Sequence, residues 1–194
     1  MKVLMLNGSR NESGCTFTAL SEVAKALKAE GIDSEIVWCG KDSLNGNLDN
    51  LVKDLAQKVK ACDGLVVGSP VYYASPSAEI QAVLDRLCGV AAADLRLKPA
   101  AAVISARRAG TTAALDVLNK YFAFSEMPVV SSRYWNMVHG SKPDDVMQDA
   151  EGLQIMQVLG SNMAWMLKCI EAGKNAGIKA PEAPVKTFTN FIRK

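Results

Sequence analysis

Asn7-Gly8-Ser9-Arg10 follows directly on the apolar run from Val3 to Leu6, and a hydroxyl-rich stretch carrying Ser13, Thr16 and Thr18 comes next. Phe17, Leu20, Val23 and Leu27 then recur at helical spacing. The pattern predicts a strand, a tight loop and the N-terminus of a helix. Such a loop offers backbone N–H groups and hydroxyls to an anion, with the positive end of the helix dipole behind it. The same residue types also serve as ordinary helix caps. A phosphate monoester suits the loop best, because it brings many acceptor oxygens and needs no metal. The Gly-Lys-Ser/Thr ending of a nucleoside-triphosphate P-loop is missing. Gly8 and Gly14 stand too far apart for a pyrophosphate fingerprint.

A second segment, Ser69-Pro70-Val71-Tyr72-Tyr73-Ala74-Ser75-Pro76, follows another apolar run. Its two prolines stiffen it, and the adjacent tyrosines offer flat apolar faces with polar tips. It suits the edge and face of a planar heterocycle. A planar ring with a phosphate tail describes FMN. A third segment, Ser105 to Gly110, carries the cations Arg107 and Arg108. The single histidine, His139, has no partners at zinc-binding spacing, so a pocket-lining role is expected of it. No GxSxG nucleophile elbow occurs. Cys15 sits near a predicted helix N-terminus, a position that favours thiolate, although a plain loop side chain is the simpler reading.

The elements that must carry these segments alternate along the chain. Strands are predicted near Val3–Leu6, Ser34–Trp38, Gly64–Gly68, Ala100–Ile104 and from Pro128-Val129-Val130 onward. Helices are predicted from the hydroxyl stretch to Ala29, from Leu48 to near Cys62, and from Ala78 to Leu87. Two more are predicted from Thr111 to Phe124 and from Glu151 to Ala172. Alternation of this kind implies right-handed crossovers and a parallel sheet covered on both faces. Segments 7–18, 69–77, 105–112 and 131–147 all follow strands, where open parallel sheets bind ligands.

The 194 residues suit one α/β domain covering 1–194, with a tail from about residue 178. A net charge of +2 gives no reason to expect nucleic acid or an anionic membrane as partner. The five cysteines are scattered, no run is long enough to span a membrane, and no secretory leader is apparent. A reduced, cytoplasmic protein without a metal centre is the expectation.

Several of these segments together resemble one family. NGSRNESGCTFTAL is similar to the phosphate loop of the NADPH-dependent FMN reductases and flavodoxin-like NAD(P)H oxidoreductases, written GSPRxxGxT. GSPVYYASPSAEIQAVLDRL resembles that family's SPVYxxxxSAxLKxFxDR. SARRAGTTAALDVLNKYF resembles its loop after the fourth strand, and RYWNMVHG a segment of one bacterial branch. The proline that the family places between Ser9 and Arg10 is absent.

The resemblance implies a flavodoxin-like three-layer α/β fold, with a five-stranded parallel sheet of order 2-1-3-4-5 and helices on both faces. It assigns Ser9, Arg10, Cys15, Thr16, Phe17 and Thr18 to the FMN phosphate loop. It places Pro70, Val71, Tyr72 and Tyr73 along the ring and ribityl chain, with Ser105, Arg107, Arg108, Ala109 and Gly110 on the ring's other side. Arg107, Arg108 and His139 are the candidates for a catalytic contribution. The implied activity passes electrons from NADH or NADPH through bound FMN to a small acceptor such as a quinone, a nitroaromatic or a flavin. The alternative is a non-enzymatic FMN electron-transfer protein of flavodoxin type, whose usual acidity this chain lacks. A homodimer or tetramer is implied, with Tyr134–Met137 and Met163–Met166 as candidate contact segments. A superfamily relative holds an iron–sulfur cluster on four clustered cysteines after the second strand. This chain has Cys39 alone in that region.

Overall fold

A computed structural model of the chain describes residues 1–185, 187–189 and 191. Its apolar runs become strands β1 (Lys2–Asn7), β2 (Asp33–Trp38), β3 (Gly64–Tyr72), β4 (Ser75–Pro76), β5 (Ala100–Ala106) and β6 (Met137–His139). The amphipathic segments become α1 (Cys15–Ala29), α2 (Leu48–Ala61), α3 (Ala78–Val90) and α5 (Thr111–Phe124), and α7 spans Ala150–Asn175. Two single-turn helices, α4 (Ala92–Leu95) and α6 (Pro143–Val146), sit in connections. The parallel path runs β2-β1-β3-β5-β6, and the two-residue β4 folds back antiparallel on the end of β3. Counting the parallel strands alone, this is the expected order of five.

Period-two alternation divides the core. Leu4, Leu6, Leu65, Val67, Ala102 and Ile104 point to one face, where Leu55 of α2, Leu84 and Leu87 of α3 and Leu118 of α5 cover them. Val3, Met5, Val66, Ala101 and Val103 point to the other, against Leu20 and Val23 of α1 and Met156, Leu159 and Met163 of α7. Both faces of the central strands are therefore dry, which explains their continuous apolar lettering.

The expected fifth strand is displaced. Pro128-Val129-Val130 makes one isolated bridge, Ala100 to Val129. The strand itself is Met137–His139, paired with Ile104, Ser105 and Ala106. Eight residues of the edge chain thus pass four residues of β5, and 131–136 loops outward from the sheet edge. Segment 131–147 is accordingly an edge excursion, a short strand and a connection to α7, not one loop. Past Gly177, which has φ 85°, the described residues form neither helix nor strand. Positions 186, 190 and 192–194 of the expected tail lie outside the described residues.

Candidate functional site

Four connections meet at the carboxyl ends of β1, β3, β5 and β6. Asn7, fully buried at the end of β1, shapes the first: its Nδ2 donates to the Glu12 carbonyl at 2.8 Å, and its Oδ1 accepts from Ser9 N–H at 3.1 Å. Ser9 Oγ accepts from Asn11 N–H at 3.1 Å, and the Ser9 carbonyl accepts from Trp38 Nε1 at 2.7 Å. Gly8 lies so close to α3 that a Cβ there would meet Ile80 Cβ at 2.4 Å. Ser77 caps α3 by accepting from Ile80 N–H and also donates its hydroxyl to the Gly8 carbonyl at 2.6 Å. The first and second segments are thereby tied together.

Thr16 Oγ1 and Ser105 Oγ lie 2.8 Å apart, both buried, and join α1 to the end of β5. Gly110, at φ 97°, leaves room for the hairpin tip, since a Cβ there would meet Ala74 Cα at 2.9 Å. Cys15 Sγ donates to the Gly140 carbonyl at 3.6 Å, linking α1 to the connection after β6. Burial raises the Cys15 thiol above its ordinary pKa. Desolvation is the largest cause, and a backbone hydrogen bond to the thiol works against it.

The first turn of α1 is open to an anion. Its N-cap is Gly14, which supplies no side-chain cap, and the N–H groups of Thr16 and Phe17 have no partner within the described residues. Such orphan donors are the usual anion site of a helix N-terminus. The side chains of the segment behave differently from the sequence expectation. Thr18 Oγ1 donates back to the Gly14 carbonyl at 3.3 Å, and Ser9 Oγ is engaged in the loop. Arg10 donates through Nε to Glu79 Oε1 at 2.6 Å, and its guanidinium lies 5.2 Å from the centre of the Tyr72 ring. Thr18 spends its hydroxyl hydrogen on the helix itself, whereas Ser9 Oγ only accepts, so the Ser9 O–H and the backbone N–H groups of the first turn are donors left for a ligand.

Pro70 and Val71 continue β3 upward and are half-buried, and Tyr72 is exposed beside Arg10. Tyr73 and Ala74 both adopt positive φ, 51° and 58°, at the tip between β3 and β4, where the Tyr73 side chain is wholly exposed. Arg107, Arg108 and Ala109 are exposed just past β5, and neither arginine makes a hydrogen bond or ion pair among the described residues. His139 closes β6 opposite Ala106, exposed, with its N–H donating to Asp149 Oδ2 at 2.7 Å. The rim thus collects every candidate the sequence singled out. Two groups that shape it were given no role of their own by the sequence reading, Asn7 and Glu79. Asn7 carried a readable signal, an Asx side chain two residues before a loop N–H. Glu79 carried none, because its partner is 69 positions away.

Two cavities lie away from this rim. One, of about 380 Å³, is walled by α5 and the 129–136 excursion, and the other, of about 520 Å³, lies between α3 and α5.

Residues 1–142 match the model of the family described as NADPH-dependent FMN reductase. An iron-sulfur flavoprotein of Methanocaldococcus jannaschii is 28% identical, over 88% of this chain and 100% of that protein. Among solved structures, RosB with a bound 8-demethyl-8-formylriboflavin-5'-phosphate superposes with a TM-score of 0.68 at 16% identity, covering 100% of this chain and 94% of that one. A flavodoxin from the domain Archaea superposes with a TM-score of 0.62 at 16% identity, covering 87% and 99%. The fold is flavodoxin-like.

Proposed function

Because the chain belongs to the NADPH-dependent FMN reductase family, we propose that it is an oxidoreductase taking electrons from NADH or NADPH and delivering them, through FMN held at this rim, to a small acceptor. The observation that carries the reading is the pair of unpartnered N–H groups of Thr16 and Phe17, beside a tyrosine-bearing segment and two exposed arginines. These fit a phosphate monoester with a planar ring. The N–H groups and the Arg10 guanidinium would hold the phosphate. Pro70 to Tyr73 would border the ring on one side, and Ser105 to Gly110 on the other.

When bound, FMN supplies the hydride acceptance and the onward release of electrons. The chain's contribution is position and field. Arg107 and Arg108 place positive charge at the mouth of β5, where they favour negative charge gained by the ring. His139, one strand further out, stands where it can meet the nicotinamide or the acceptor. Net charge of +2 argues against the acidic electron-transfer proteins that steer to basic partners.

The cluster in the archaeal relative's name does not transfer. Residues 39–47, between β2 and α2, hold one thiol, Cys39, which is buried and whose pKa burial pushes up to about 12. Four thiolates are needed, and the described residues contain no group of three or more potential metal ligands.

The deciding experiment is the visible spectrum of the protein reconstituted with FMN, before and after anaerobic NADPH or NADH. Bleaching of the flavin band, restored by a quinone, is the expected result. FMN uptake without bleaching by either nucleotide favours the electron-transfer alternative, and absence of uptake rejects the reading.

A further inference from the structure

Glu79 is the second residue of α3, with 3% of its surface exposed, and no sequence signal assigns it a task. Its Oε1 accepts from Arg10 Nε at 2.6 Å, and its Oε2 is buried with no partner. A buried carboxylate half satisfied is costly; its place in the first turn of α3 suits the helix dipole, but Ser77 already caps that helix and the dipole leaves Oε2 without a partner. Its one strong contact is to a side chain that is itself 64% exposed. The pair therefore spends a buried charge on ordering a surface arginine.

Arg10 is ordered from two directions. Glu79 takes Nε from one edge, and the Tyr72 ring lies 5.2 Å from the guanidinium carbon. Both Nη groups remain without a partner among the described residues. A guanidinium fixed through Nε still presents its planar Nη groups, a geometry suited to phosphate oxygens. A long exposed arginine otherwise loses most of its rotamer freedom on gripping a ligand, and that loss weakens binding.

We propose that Glu79 is a positioning residue that holds Arg10 ready for the flavin's phosphate, and so sets the preference of this site for FMN over riboflavin. The proposal rests on the flavin reading above and goes beyond it by naming the residue that supplies phosphate selectivity. Glu79 itself touches no phosphate, because its charge would repel one. Its effect passes through the orientation of Arg10, for which an oxygen acceptor at the Oε1 position is sufficient.

The test is titration of the purified protein with FMN and, separately, with riboflavin, followed by quenching of flavin fluorescence. Wild type, Glu79→Gln and Glu79→Ala are compared. Glu79→Ala should lose roughly tenfold or more in FMN affinity, the range of one charge-assisted hydrogen bond, and keep its riboflavin affinity. Glu79→Gln, which retains an oxygen for Arg10 Nε, should keep the wild-type FMN-to-riboflavin ratio to within about threefold. Unchanged riboflavin binding in Glu79→Ala shows that the ring site and the fold survive. Equal losses for both ligands would make the pair a plain structural bridge and overturn the proposal. Tighter FMN binding by Glu79→Ala would show that charge repulsion governs and overturn it as well. A glutamine variant as weak for FMN as the alanine variant would deny the orientation role. A wild-type protein that binds neither ligand removes the flavin reading itself, whereas FMN binding with an unaltered ratio in both variants removes this proposal alone.

Discussion

The hydroxyls of Thr16 and Ser105 meet at 2.8 Å in the buried floor of the rim, joining the first turn of α1 to the last turn-in of β5 across 89 positions of sequence. One of the two donates to the other, so one hydroxyl hydrogen is left for a further acceptor. The contact also fixes the separation between the first turn of α1 and the arginine-bearing segment. Any ligand that spans both must match that separation.

Removing one partner should therefore cost more than removing both. Thr16→Val strands the buried Ser105 hydroxyl and should destabilise the fold by about 1–3 kcal/mol, measured by urea denaturation. Adding Ser105→Ala should recover part of that loss. A double variant no better than the sum of the singles would mean the two hydroxyls are independently satisfied.

The exposed arginines act through solvent, so their influence on bound FMN should be modest and salt-dependent. Arg107→Ala or Arg108→Ala should lower the two-electron midpoint potential, with about 30 mV corresponding to roughly 1.4 kcal/mol of lost stabilisation of the reduced ring. Affinity for oxidised FMN should change less. Wild-type potentials and turnover in both variants would mark the pair as surface charges only.

Acid should weaken the protein through Glu35. Its carboxylate accepts from Lys2 Nζ at 2.6 Å and is also paired with Lys58, and these contacts hold its pKa below the ordinary carboxylate value of 4.5. A depressed carboxylate contributes stability above its unfolded pKa, and the contribution disappears as pH falls through the lower, folded value. Glu35→Gln should flatten that part of the stability profile below about pH 4.5 and leave neutral-pH behaviour of the rim unchanged. Superimposable acid limbs for variant and wild type would disprove the link.

Assembly is the fourth expectation. Of the two candidate contact segments, Asn136, Met137, Met163 and Ala164 are spent in the core, while Tyr134, Trp135 and Trp165 remain exposed. Tyr134 and Trp135 pack edge to face with centroids 4.5 Å apart. We expect a twofold dimer that uses this aromatic pair, as aromatic residues are favoured in interfaces. Light scattering at micromolar concentration should give twice the chain mass, and Trp135→Ala should shift it toward the monomer. A wild-type monomer would leave the aromatics without this role.

Local pattern carried most of the architecture. A continuous apolar run such as Gly64–Gly68 fits a strand dry on both faces, and the four-residue spacing of Leu51, Leu55 and Val59 puts them on one face of a helix. Their alternation alone puts the polar segments at one sheet edge. Pairing decided what pattern could not. Pro128-Val129-Val130 has strand lettering, yet an edge strand exists only where a neighbour offers ladder groups in register, and β5 offers them to Met137–His139. The site's internal wiring was equally invisible. Thr16 to Ser105, Arg10 to Glu79 and Cys15 to Gly140 join residues 69 to 125 positions apart. Sequence supplied donors that all looked free for a ligand. Packing paired Thr16 with Ser105 and turned Thr18 onto the Gly14 carbonyl, while the first-turn N–H groups of α1 stayed open, because a helix can satisfy every N–H except those of its first turn.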